Sequence, residues 1–212
     1  MNPTLYFAFI MAVVILVLTP GPSVLLGVSH SLVYGWRRVL FTALGDVSAN
    51  IIQMILAATG LGLILATSAT AFSILKIVGI IYLVWLGIKT IRSKTRFQTD
   101  QVQTLPCKSN WWHMRQGFTV AITSPKAIAF FAAFFPQFID PTQPLLPQFI
   151  LMATSFVILD YSTVVAYAFI AQRAGTRLAR SGAAHWINKI SGGSLLVGAA
   201  LLATINNSAA NH

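Results

Sequence analysis

Along this chain, apolar runs long enough to cross a bilayer alternate with short polar stretches. Crossing ~30 Å of hydrocarbon takes ~20 apolar helical residues. Six runs meet that length: roughly Leu5–Val33, Val39–Ala66, Ala71–Ile91, Gly117–Pro136, Leu145–Ala171 and Ile187–Ile205. The pattern predicts an all-α integral membrane protein of six transmembrane helices, with residues 1–212 forming one domain. The start, Met1-Asn2-Pro3-Thr4, has no positive n-region, and the run after it outlasts a signal-peptide h-region, so it reads as the first membrane helix.

Two of the runs are interrupted. Thr19-Pro20-Gly21-Pro22-Ser23 breaks the first about fifteen residues in. Its prolines lack the amide hydrogens a helix needs there, so carbonyls are freed at membrane depth, which is tolerated only against protein or a water-filled cavity. Thr123-Ser124-Pro125-Lys126 makes the corresponding break in the fourth run and adds a cation with about nine residues of span before it and ten after. A lysine that deep should face the bundle interior and a partner. Thr19, Pro20, Gly21, Pro22, Ser124, Pro125 and Lys126 are therefore the candidate ligand-binding residues.

Charge refines the topology. The chain is 56% apolar and 8% charged, with fourteen Lys and Arg against four Asp and no Glu. So little polar surface excludes an ordinary soluble domain. No charge of either sign occurs from Met1 to Trp36, and eleven of the fourteen cations fall in three polar stretches: Arg37 and Arg38; Lys89 to Arg115; Arg173 to Arg180. This is loop patterning and excludes a nucleic-acid patch. Loops two and four, around Thr67–Thr70 and Gln137–Pro144, hold no Lys or Arg. The positive-inside rule then makes the odd-numbered loops cytoplasmic and puts both termini on the outer face. Trp36, Trp111, Trp112 and Trp186 fall beside the cytoplasmic loops, as an interfacial aromatic belt would.

The chain also hints at an internal repeat. Lys76-Ile77-Val78-Gly79 with Leu83-Val84 matches Lys189-Ile190-Ser191-Gly192 with Leu196-Val197 at an offset of 113, close to the 114 between Asp46 and Asp160. Together with the paired proline breaks, this divides the chain into a first repeat (about residues 1–95), a basic cytoplasmic loop (about 92–115) and a second repeat (about 114–207). Three spans per unit force the second copy to enter from the opposite side, giving inverted halves suited to alternating access.

Asp46 and Asp160 are the acidic residues within the spans, and an intramembrane carboxylate marks a candidate proton carrier. Asp46, Asn50 and Gln53 share one helix face at i, i+4, i+7, and Asp160, Thr163 and Tyr167 do so at i, i+3, i+7. Asn50, Gln53, Thr163 and Tyr167 are thus expected to support the two acids. Gly79, Gly87, Gly192, Gly193 and Gly198 are expected to permit close helix approach, and Lys76 to snorkel at the outer end of its span. His30, His113, His185 and His212 are scattered along the chain, and Cys107 has no second cysteine to pair with. No metal or nucleophile set is visible, so neither a cofactor nor enzymatic chemistry is expected. That argues against an intramembrane hydrolase, and one cysteine argues against a thiol-disulfide relay. A structural or signalling subunit without flux of its own stays open.

Several motifs together resemble the LysE/RhtB-type exporters of amino acids and their derivatives. They are Leu18-Thr19-Pro20-Gly21-Pro22, Tyr34-Gly35-Trp36-Arg37-Arg38, Leu75 to Gly79 continuing to Tyr82-Leu83-Val84-Trp85-Leu86-Gly87, Ser124-Pro125-Lys126-Ala127-Ile128, Phe134-Phe135-Pro136-Gln137-Phe138-Ile139 and Ala171-Gln172-Arg173. The resemblance implies efflux of a small amino acid such as homoserine, threonine or leucine, or of homoserine lactone, from the bacterial cytoplasm across the inner membrane. It also implies a proton gradient as the driving force, and it is compatible with homo-oligomers. The homoserine and homoserine-lactone branch is most similar. In the fourth span the family commonly has Asn-Pro-Lys, where this chain has Ser124.

Overall fold

The structure is a computed structural model. It describes residues 3–19, 21–67, 81, 84, 85, 88, 108–140 and 142–174, with side chains left out at 61–67, 133 and 134. Most of the third span, all of the sixth, Pro20, Cys107, His185, His212 and both Lys-Ile-x-Gly segments lie outside the described residues.

Every regular element among the described residues is helical. Helix α1 spans Pro3–Leu18, α2 Pro22–Tyr34, α3 Trp36–Thr67, α4 Asn110–Ile122, α5 Pro125–Ala129 and α6 Leu145–Ala174. Beyond α5 the chain widens into a π turn over Phe130–Phe134 and tightens into a 3-10 turn over Phe135–Phe138. Pro136, which cannot donate to a helical ladder, lies in that 3-10 turn. Trp36–Gly60 and Leu145–Ala174 are each long and apolar enough to cross a membrane. The α1–α2 pair is bent by 47° and the pair formed by α4 with Pro125–Phe138 by 50°.

Helix α4 begins at Asn110, well before the expected span, because Ser109 caps it by accepting from the Trp112 amide at 3.2 Å. Trp111, Trp112, His113 and Arg115 are therefore helical, although the sequence pattern placed them in the basic loop. Between α2 and α3 the chain turns at Gly35, whose φ of 87° suits glycine. The Trp36 amide at the start of α3 donates to the Gln172 side chain on α6 at 2.8 Å.

Helices α3 and α6 order the interior into layers. The buried face of α6 recurs every three or four residues, through Met152, Phe156, Asp160, Val164, Ala168 and Ala171. Met152 and Phe156 join one apolar cluster with Phe9, Val13, Met54, Ala58, Phe131, Phe135 and Phe138. Val164, Ala168 and Ala171 join another with Val24, Val28, Val39 and Ala43. Between the clusters lie Asp46, Asn50 and Gln53 on α3 and Asp160 on α6. Large apolar side chains such as Phe7, Leu56, Leu146 and Ile158 point outward and are more than half exposed, a surface that fits lipid and not water.

Among the described residues, the tightest crossing joins α3 to α4. A Cβ on Gly45 would lie 1.9 Å from the Met114 carbonyl oxygen, and one on Gly117 2.0 Å from that of Thr42. Backbone therefore touches backbone, as small residues allow in membrane helices. The sequence reading assigned close approach to other glycines and did not identify this pair. Gly117→Ala and Gly45→Ala should each destabilise the protein by about 2 kcal/mol or more, since the obstruction is main chain and cannot rotate away. Gly60→Ala, where an added Cβ meets nothing within 4 Å, should be neutral or stabilising. Thermal unfolding of the three variants in detergent provides the check.

Candidate functional site

A proline in a helix removes the donor for the carbonyl four residues earlier. Pro20 therefore deprives Leu16, Pro22 deprives Leu18, and Pro125 deprives Ala121. Each of these carbonyls receives a side-chain donor from a distant part of the chain. Lys126 Nζ donates to the Leu16 oxygen at 3.0 Å and to that of Thr19 at 2.7 Å. The Tyr167 hydroxyl donates to Leu18 O at 2.9 Å. Gln53 Nε2 donates to Ala121 O at 3.3 Å and Ile122 O at 3.1 Å. The Ser124 amide also reaches Ala121 O, at 2.9 Å.

Lys126 thus does not stand free at membrane depth. Two of its three donors hold the carbonyl end of α1, and Gly21 leaves room for it, since a Cβ there would come within 3.1 Å of Lys126 Cε and Nζ.

Beside Lys126 lies a cavity of about 30 Å³, lined by Leu16, Gly21, Pro22, Ser23, Asp46, Asn50, Ser124, Lys126, Phe156 and Asp160, among others. Asn50 links the two acids: its Nδ2 lies 3.1 Å from Asp160 Oδ2 and 3.4 Å from Asp46 Oδ2. The carboxyl groups also face one another directly, and the Ser23 hydroxyl faces Asp46. Asp46, Asn50, Gln53 and Ser124 are all less than 9% exposed, and Asp160 is 9% exposed. Asp46 Oδ1 and Asn50 Oδ1 are buried without a protein partner. Unused acceptors thus remain on the acidic side of a cavity with room for about two waters.

Of the residues expected at the site, Gly21, Pro22, Ser124, Lys126, Asp46, Asn50 and Asp160 converge on the cavity. Gln53 and Tyr167 serve the broken helix ends instead. Thr163 is spent on its own helix, donating to Leu159 O at 2.7 Å, and the Thr19 hydroxyl likewise donates to Ile15 O at 2.7 Å. Pro125 starts α5 next to the cavity, and Pro20 lies outside the described residues. Ser23 was missed as a site residue, although its place just after Pro22 could have suggested it. A further signal was also overlooked: Gln53 and Tyr167 are 114 residues apart, the offset of the two aspartates.

Apolar helices with lipid-suited surfaces around a buried polar cavity define a helical membrane protein. The LysE type translocator family matches residues 14–206, and the chain belongs to that family. An uncharacterized membrane protein of Vibrio cholerae is 31% identical over 204 residues, 96% of this chain and 98% of that protein. A homoserine/homoserine lactone efflux protein of Salmonella typhimurium is 30% identical over 94% of this chain and 96% of its own length. A leucine efflux protein of the same species is 30% identical over 81% of this chain and 83% of its own. No solved structure matches the chain.

Removing one carbonyl cap while keeping the shape of the side chain should isolate its worth. Tyr167→Phe and Gln53→Leu are each expected to cost about 1–3 kcal/mol, because Leu18 O and Ile122 O lose the side-chain donors that reach them. Thermal unfolding in detergent measures both, and unchanged midpoints would show that water replaces these donors at no cost.

Proposed function

We propose that this protein is a secondary exporter that moves a small amino acid or derivative out of the bacterial cytoplasm in exchange for protons. The observation that carries this reading is the cavity itself, with facing carboxyls and unused acceptors on one side and a lysine with a helix start on the other. A zwitterion fits that polarity. Its ammonium group would meet Asp46, Asp160 and the free oxygen of Asn50. Its carboxylate would meet the third donor of Lys126 and the start of α2, where Pro22 and Ser23 line the cavity and no side chain caps the helix. The efflux proteins named among the relatives support this substrate class, with homoserine, threonine, homoserine lactone and leucine the first compounds to test.

Two like-charged carboxyls in contact favour holding one proton between them, and an arriving ammonium group competes with that proton. Exchange of proton for substrate follows from this competition. One inward proton is worth ~2.3 kcal/mol per 100 mV, and each ~1.4 kcal/mol sustains a tenfold gradient, so exchange for a single proton suffices for efflux.

The cavity is too small for any amino acid, so the halves must part to admit one. The two chain interruptions are read as breaks of the first and fourth transmembrane helices in inverted repeats, with both termini outside. The reciprocal caps support this reading. Gln53 on α3 holds the break between α4 and α5, and Tyr167 on α6 holds that between α1 and α2. Donors at equivalent positions in each half thus hold the broken helix of the other. Rocking one half against the other can exchange these bonds without stranding a carbonyl in lipid. Ser124, where the family commonly has asparagine, lines the cavity beside Lys126 with a shorter side chain.

Efflux of radiolabelled homoserine, threonine and leucine from proteoliposomes, with and without an imposed proton gradient, tests the reading. Asp160→Asn should reduce gradient-driven efflux at least tenfold. Lys126→Gln keeps a carbonyl donor but removes the charge, and should mainly weaken substrate affinity. Efflux that ignores the gradient would overturn the coupling, and full activity in both variants would overturn the site.

A further inference from the structure

Outside the cavity, one buried polar cluster has no part in the binding reading. His30 on α2 and His113 on α4 are far apart in sequence, yet their Nδ1 atoms lie 3.3 Å apart, with His30 6% exposed and His113 fully buried. The structure thus corrects the impression of scattered histidines for these two. His30 Nδ1 also lies 2.9 Å from the Thr42 hydroxyl on α3, one helical turn from Asp46. Tyr34 and Trp112 pack against both rings, and Arg38 exerts its charge on His113. Lys108 stands 6.0 Å from the Trp112 ring, and Arg38 is tied to the Asn110 side chain. These are the charged and hydrogen-bonding groups that α2, α3 and α4 turn toward the pair. The cluster lies at the arginine-bearing end of the bundle, the cytoplasmic end under the proposed orientation. His113 Nε2 is buried without a partner.

The contact has a chemical consequence. Two Nδ1 atoms at this distance can hold one hydrogen between them but not two, since two N–H groups would collide. An imidazole can also accept a proton on one ring nitrogen and release one from the other. We propose that Thr42, His30 and His113 form the inner leg of the proton path, linking the Asp46–Asp160 pair to the cytoplasmic face. This rests on the proton-coupled reading above. A proton leaving the carboxyl pair passes through water to the Thr42 oxygen as the hydroxyl gives its own proton to His30 Nδ1. It then crosses to the bare Nδ1 of His113, whose own hydrogen sits on Nε2 and is released there. His30 ends as it began, Thr42 resets by turning its hydroxyl, and His113, left with its hydrogen on Nδ1, returns to the Nε2–H form by exchange with water at the inner end; no electron moves. The unpartnered Nε2 is the exit, and water must reach it when the inner end opens.

The test uses the full chain in proteoliposomes loaded with pyranine, with homoserine as the probe and leucine as the alternative. Two readouts are compared: proton flux driven by substrate, and substrate-for-substrate exchange at equal pH, which needs no net proton movement. His113→Gln and Thr42→Val should slow proton-linked flux at least tenfold and flatten its dependence on cytoplasmic-side pH, while exchange stays within about twofold. Thr42→Ser, which keeps the hydroxyl, should restore the flux. If His113→Gln fails to fold, the Thr42 pair still decides. Equal loss of both readouts in Thr42→Val would reduce the cluster to packing, and unchanged proton flux would remove it from the path; either result overturns the proposal. A wild-type protein whose efflux ignores the gradient would fail the proton-coupled reading itself, a separate outcome visible before any variant is made.

Discussion

A carbonyl without a donor inside a bilayer has no water to turn to, and leaving it so costs several kcal/mol. The rest of this structure depends on how three prolines create that problem and how three side chains, with the amides of Thr19 and Ser124, solve it. Lys126, Tyr167 and Gln53 each cross from one part of the chain to close a gap in another. Because these bonds run between distant segments, they hold the bundle together as well as satisfying the backbone. Lys126 carries a second burden: the ammonium group that seals α1 is also the cation of the cavity wall.

The polar layer owes its position to the same geometry. The broken helix ends must lie where donors can reach them, and those donors sit on the same helix faces as the two aspartates. Asn50 then joins Asp46 to Asp160. The apolar clusters on either side exclude water from the layer except at the cavity. Polar groups are thus concentrated where low dielectric strengthens every interaction. Under the proposed mechanism, the histidine pair extends that layer toward the arginine-bearing end.

Much of this was legible in the chain because membrane physics is one-dimensional at first order. Apolar run length gave the spans now seen as α3 and α6, and the prolines and charges within the apolar runs marked residues that gather around the cavity. Lys126 was identified as needing a buried partner, but the sequence did not say which, and its hydrogen-bond partners proved to be the Leu16 and Thr19 carbonyls. Thr163 and Tyr167 share a helix face with Asp160, yet Thr163 bonds to its own helix while Tyr167 reaches Leu18. Periodicity assigns a face, not the identity of the atom opposite it. The start of α4 was misplaced because Arg115 and two tryptophans look like loop and interface, whereas the Ser109 cap carries the helix through them.

The amino-acid sequence by itself determined that the chain lives in a membrane, which segments are apolar enough to cross it, and where helices cannot continue, because these follow from local chemistry. Only the tertiary structure decided that Gly45 and Gly117 bring α3 and α4 into backbone contact, that Gln53 and Tyr167 cap opposite breaks, that Asp46 and Asp160 share Asn50, and that His30 meets His113. Each of these is a contact between residues far apart along the chain. Such contacts depend on the relative rotation and depth of two helices, which packing of whole surfaces selects and no single segment encodes.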